Sequence, residues 1–69
     1  MTNTLRVARA IRGLNQELTA KALKWQRDRY FRIEKGYADP TRAEMEALEK
    51  LFGTPIEELF PGADTSQVA

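Results

Sequence analysis

The chain has no cysteine and no histidine. The first absence excludes disulfide staples and thiolate chemistry; the second removes the commonest zinc ligand and the commonest general base. Long apolar runs are missing as well. Those present are only a few residues long, far short of the roughly 20 that a helix needs to cross a bilayer. The opening MTNTLRVARAIRGL has no apolar stretch like a signal-peptide core, so a cytoplasmic location is expected. No cluster of acids suggests a preformed magnesium or acid–base site. These gaps lead us to expect no enzyme, no metal and no cofactor.

At 69 residues the chain has room for one domain. A domain of this size buries only about 60% of its unfolded-state surface, so the core is expected to be small. The net charge of +1 hides a polarity: residues 1–32 balance to +6 and residues 33–69 to −5. Such a split suits a molecule with one face for phosphate and another kept away from it.

Patterning along the chain predicts five short helices and no strand. Asn3 or Thr4 can cap a first helix running to about Arg12, with Gly13 as its stop. Leu5, Ala8 and Leu14 fit one inward stripe. Val7 and Ile11 form a second apolar pair that is either covered by another element or an exposed patch. Asn15 caps a second helix over Gln16–Leu23, with Ala20 and Leu23 inward and Leu18 or Thr19 at the margin. Lys24 stands where the chain must turn, and Trp25 is expected to plug the corner. A third helix, roughly Gln26–Glu34, places Tyr30 and Ile33 three apart on an inward face. Arg27, Arg29 and Arg32 then project outward. A short basic helix backed by a small core suits a nucleic-acid groove.

Asp39-Pro40 marks a loop, and Thr41-Arg42-Ala43-Glu44 is a capping-box pattern that opens a fourth helix. Met45, Leu48, Leu51 and Phe52 form its stripe, and Gly53 closes it. Thr54-Pro55-Ile56-Glu57 repeats the device for a last short helix that ends at Pro61 and Gly62. The domain is expected over 1–62, with 63–69 a mobile tail.

The stretches Leu5…Ala8-Arg9…Gly13-Leu14-Asn15-Gln16-Glu17, Ala20…Leu23, Arg32-Ile33-Glu34-Lys35-Gly36, Pro40 and Phe52-Gly53…Glu58-Leu59-Phe60 carry a resemblance to a known family. Together they make the chain similar to the lambda-repressor-like helix-turn-helix proteins, of Cro/repressor or xenobiotic-response-element type, over about residues 5–60. The resemblance implies an all-α, compact five-helix domain with the helix-turn-helix at helices two and three. It implies binding to double-stranded operator DNA as a homodimer, the third helix lying in the major groove. Arg27, Asp28, Phe31 and Arg32 fall at positions that face base edges. Asn15, Gln16, Gln26, Arg29 and Lys35 fall near the phosphate backbone. Arg9 and Glu34 match a structural ion pair joining the first helix to the end of the third. The turn position usually held by glycine is Lys24, which calls for a left-handed backbone.

The residues leave some roles open. Arg32 either contacts a base or pairs with Asp28, four residues earlier. Phe31 either meets a thymine methyl or joins the core. The Tyr37 hydroxyl either contacts phosphate or packs in its loop. Arg12, Lys21 and Lys24 are expected to act as general electrostatic support. Leu59 and Phe60 are the expected dimer contact, lying in the acidic half. The leading expectation is a sequence-specific transcriptional regulator, a repressor of phage or mobile-element type. The alternative is a protein-interaction module on the same fold, without specific DNA binding and with a protein partner instead. No membrane role is expected.

Overall fold

Five helices follow one another, with no strand, among residues 2–62, the part of the chain that the computed structural model describes. They are α1 (Leu5–Ile11), α2 (Gln16–Leu23), α3 (Arg27–Glu34), α4 (Arg42–Phe52) and α5 (Ile56–Leu59). The expected tail, 63–69, lies outside the described residues.

One core holds them together. Leu5 comes from α1, Ala20 from α2, Tyr30 and Ile33 from α3, Met45, Leu48 and Phe52 from α4, and Ile56, Leu59 and Phe60 from the end of the domain. Ala8, Leu14, Leu23, Trp25 and Leu51 pack around its margin. Ala20 is 2% exposed, and its small side chain allows α2 and α3 to approach closely where they pack. Beside it, Thr19 is fully buried while Leu18 is half exposed. A buried hydroxyl is tolerated here because Thr19 Oγ1 donates to the Asn15 carbonyl at 2.8 Å.

The helix ends are closed by a mixture of local and distant groups. Asn15 Oδ1 accepts from the Leu18 amide at 2.7 Å, and Thr41 and Glu44 form a reciprocal capping box. At α1 one of the two expected caps is used, and at α5 the cap departs from the expected one. At α1 it is Asn3, not Thr4, whose side chain takes the Leu5 amide. Asn3 also donates to the Ile33 and Glu34 carbonyls at the end of α3. Thr4 instead ties the N-terminal lead to α5, its amide and hydroxyl donating to the Leu59 and Glu58 carbonyls. At α5, Thr54 bonds back to Phe52, and Glu49 reaches forward from α4 to take the Ile56 amide at 3.0 Å. Arg12 does more than add positive charge. Its guanidinium donates to the Phe52 carbonyl at 2.7 Å and so closes α4 from the residue that follows α1. A Cβ added to Gly53 would lie 3.0 Å from that guanidinium, in a backbone with φ +64.

Leu59 and Phe60 require a correction. They are 0% and 1% exposed, both within the core of a single copy, and so cannot form an apolar face for a twin. A one-turn helix has few side chains, and α5 commits its apolar ones inward. Among the described residues the large apolar side chains left exposed are Val7, Ile11, Leu18 and Tyr37.

Candidate nucleic-acid interface

The turn between α2 and α3 sets the angle at which α3 is presented. Lys24 adopts φ 63, ψ 34, the only non-glycine with positive φ among the described residues. The Trp25 amide reaches back to the Ala20 carbonyl at 2.9 Å, and the Trp25 ring lies 6.4 Å from that of Tyr30. The chain therefore enters α3 from a fixed corner. Gln26, the residue before the helix, is extended, and its side chain makes no cap bond.

A buried polar cluster fixes the inner side of α3. Glu34 accepts from Arg9 at 2.6 and 3.2 Å, from Gln16 at 2.6 Å and from the Tyr30 hydroxyl at 2.9 Å. Its side chain is only 4% exposed. Burial by itself would raise the Glu34 pKa, but donation from Arg9, Gln16 and Tyr30 outweighs it and holds the carboxyl below its ordinary value. Burial, with the neighbouring carboxylate, pushes the Tyr30 phenol up. The cluster joins α1, α2 and α3 through one carboxylate, so the helix-turn-helix is braced from behind. Gln16, expected near phosphate, is thereby a member of this brace.

Arg29 belongs to a second brace. Its guanidinium meets both Glu44 oxygens, at 3.0 and 2.7 Å, and the Asp39 carbonyl at 3.2 Å. The Arg29 bond holds the Glu44 carboxyl below its usual range, helped by the Thr41 backbone. Glu44 thus caps α4 and locks it to α3 together. The capping role was visible in four consecutive residues. The lock was not, because its partner is 15 positions away.

The outer side of α3 is a different surface. Arg27, Asp28 and Arg32 are exposed and Phe31 is half-buried. Arg32 Nε donates to Asp28 at 2.8 Å within the helix. Arg27 has no hydrogen bond or ion pair to the described residues. The Phe31 ring meets Tyr37 edge-on at 6.2 Å, and the Lys35 ammonium stands 5.8 Å from its centroid. Phe31 is therefore part of a small surface cluster outside the core. One depression is lined by Gln16, Arg27, Asp28 and Phe31. A second, lined by Arg9, Asn15, Gln16, Glu17 and Arg27, opens between the starts of α2 and α3. The N-terminal end of α2, with Asn15 and Gln16, faces the same side, where amide donors and the helix dipole favour an anion.

The geometry has counterparts among known proteins. A family model described as helix-turn-helix matches residues 5–59. An uncharacterised HTH-type transcriptional regulator of Methanocaldococcus jannaschii is 40% identical over 60 residues, 87% of this chain and 91% of that protein. The cryptic phage CTXphi transcriptional repressor RstR of Vibrio cholerae is 34% identical over 65 residues; the match takes in 94% of this chain and 59% of that repressor. No solved structure matches the chain. Among the described residues no helix is long and apolar enough to cross a membrane.

Proposed function

The chain belongs to the Cro/C1-type helix-turn-helix family and is a DNA-binding transcriptional regulator, and we propose that it represses transcription by occupying operator DNA as a homodimer, with α3 in the major groove. The observation that carries this reading is the division of α3. Tyr30, Ile33 and Glu34 anchor it, while Arg27, Asp28, Phe31 and Arg32 stand together on its outer side. A recognition helix needs that combination, since base edges are read by side chains whose backbone is held in register. Asn15, Gln26, Lys35 and Tyr37 flank this surface and are assigned to the phosphate backbone. Gln16 and Arg29, already bonded to carboxylates, act as braces first.

A second copy would double the reading length, with half-sites about one turn, roughly 34 Å, apart. Because Leu59 and Phe60 are buried, Val7 and Ile11, 60% and 78% exposed on α1, become the candidates for the contact between twins. Regulation of a phage or mobile element in the cytoplasm, without catalysis or cofactor, fits the phage repressor among its relatives.

The test is a gel-shift against the DNA flanking the protein's own gene, on full and half operators and across a salt series. Affinity should fall steeply with salt, and Lys35→Ala should lower the log–log slope by about one unit. Equal, salt-insensitive affinity for operator and unrelated duplex would favour the other reading, a protein-interaction module using the exposed Val7–Ile11 pair.

A further inference from the structure

We infer that base reading by α3 rests on two side chains, Arg27 for a guanine and Phe31 for a thymine methyl, and that the operator half-site holds these two bases within one or two base-pair steps. The inference rests on the proposed docking of α3 in the major groove and names the bases it reads there.

Three arginines lie on α3, and the structure separates them. Arg29 is clamped between Glu44 and the Asp39 carbonyl, facing α4. Arg32 Nε donates to Asp28 at 2.8 Å, so one edge of its guanidinium is turned to a carboxylate of its own helix. Arg27 alone among the three has no bond to the described residues. Its guanidinium is therefore available for the bidentate contact to O6 and N7 that marks guanine in the major groove.

Phe31 lies four residues on from Arg27, one turn along the same side of the helix. Both line one depression with Gln16 and Asp28. A rise of about 1.5 Å per residue puts them about 6 Å apart along the axis, comparable with two steps of about 3.4 Å on DNA. Phe31 is held in place by the Tyr37 edge and by Lys35 over its ring. A ring fixed this way offers an apolar surface and no donor or acceptor. In the major groove the thymine methyl is the apolar feature that meets it.

The experiment starts from the tightest duplex selected by the wild-type protein from a random-sequence pool. Each thymine in the half-site is replaced by uracil, which removes only the methyl, and each guanine by 7-deazaguanine, which removes only N7. One uracil position should weaken binding about fourfold, the worth of one buried apolar carbon. One 7-deazaguanine position, one or two steps away, should weaken it about tenfold, the lower part of the range for a bidentate pair. Arg27→Ala should abolish sensitivity to 7-deazaguanine and keep that to uracil. Phe31→Ala should do the reverse, with circular dichroism confirming the fold. The base-analogue measurements on the wild type need no variant at all. Uracil and 7-deazaguanine duplexes that bind like the parent would overturn the inference while leaving the repressor reading intact. So would loss of guanine sensitivity in Arg32→Ala but not in Arg27→Ala. Failure to enrich any duplex over the starting pool would overturn the repressor reading itself, and this inference with it.

Discussion

Arg9 and Arg32 each place a guanidinium against a carboxylate, at 2.6 and 2.8 Å, and the two pairs do different work. The Arg9–Glu34 pair joins residues 25 positions apart, with side chains 18% and 4% exposed. Tyr30 and Gln16 add two more donors to Glu34. The Arg32–Asp28 pair spans one turn of a single helix, with side chains 60% and 70% exposed. Water screens the second pair and competes for it; the first is largely withdrawn from water and connects three helices. Bond length does not separate structure from recognition here. Burial and chain separation do.

Breaking the inner cluster should have the largest effect. Glu34→Ala leaves Arg9, Gln16 and Tyr30 without their common acceptor, and the expected cost is about 3–5 kcal/mol. A domain of this length holds about 3–10 kcal/mol in total, so the variant should lose a large share of its stability. Urea denaturation of Arg9→Ala, Glu34→Ala and the double variant checks this. Additive single effects would mean that the pair, despite its geometry, is energetically uncoupled.

Acid should weaken the same cluster more gradually. The folded pKa of Glu34 lies below its unfolded value, and that of Glu44 is lowered too. Their contribution is therefore complete above the ordinary carboxylate value of 4.5 and is lost as pH falls through the folded values. Tyr30 works in the opposite sense. Its raised pKa keeps its contribution intact below the ordinary 10.0 and loses it as pH rises beyond that. Thermal melts from pH 7 to pH 2 should show Tm steady to about pH 5 and then falling. Glu34→Gln, if folded, should flatten that limb. A Tm unchanged from pH 7 to pH 3 would refute the assignment.

The two regions also differ in how far the sequence revealed them. Helix existence and the larger core positions were legible because 3.6-residue spacing and local caps are written in neighbouring residues, as in Thr41–Glu44 and Asn15–Leu18. The choice between Leu18 and Thr19 was not. Adjacent residues at the edge of an apolar face differ by about 100°, too little for spacing to choose between them, and the bond from the Thr19 hydroxyl to the Asn15 carbonyl makes its burial tolerable. Leu59 and Phe60 were misplaced because one turn of helix is too short to define a face. Asn3, Arg12, Arg29 and Glu49 close helix ends or brace helices 7 to 40 residues away. No local pattern announces a polar bond of that kind. On the outer side of α3 the resemblance marked the positions, but only the ion pairs showed which arginines already had partners.

The corner before α3 offers a change of sign. Lys24 holds a left-handed backbone that a side chain with Cβ adopts at a cost of about 1–2 kcal/mol. It is exposed, so glycine would lose little packing. Part of the gain is offset by the greater freedom of glycine in the unfolded chain, leaving Lys24→Gly more stable by about 0.5–1 kcal/mol. A matched increase in the urea midpoint, with operator affinity nearly unchanged, would show that the corner sets geometry and little else. A lower midpoint would mean that the lysine side chain contributes more than its exposure suggests.

The smallest effect on the fold should come from breaking the outer pair, and there the comparison becomes sharpest. Asp28→Ala removes an exposed i,i+4 contact worth about 0.2–0.5 kcal/mol, together with an acid in the first turn of α3 that favours the helix dipole. Stability should fall by less than about 1 kcal/mol. Binding should respond more visibly, because Arg32 is released and a negative charge is taken away from the face assigned to DNA. Affinity for unrelated duplex should rise, and the log–log salt slope should steepen by about one unit as Arg32 gains a phosphate. Affinity for the operator should rise less, so discrimination between the two falls. The inner pair would then be the one whose loss takes a large share of the stability, and the outer pair the one whose loss leaves the domain stable but less selective. Fluorescence anisotropy on operator and unrelated duplex across the salt series measures this. If Asp28→Ala leaves both affinities and the slope unchanged, the Asp28–Arg32 pair does not restrain Arg32 on DNA.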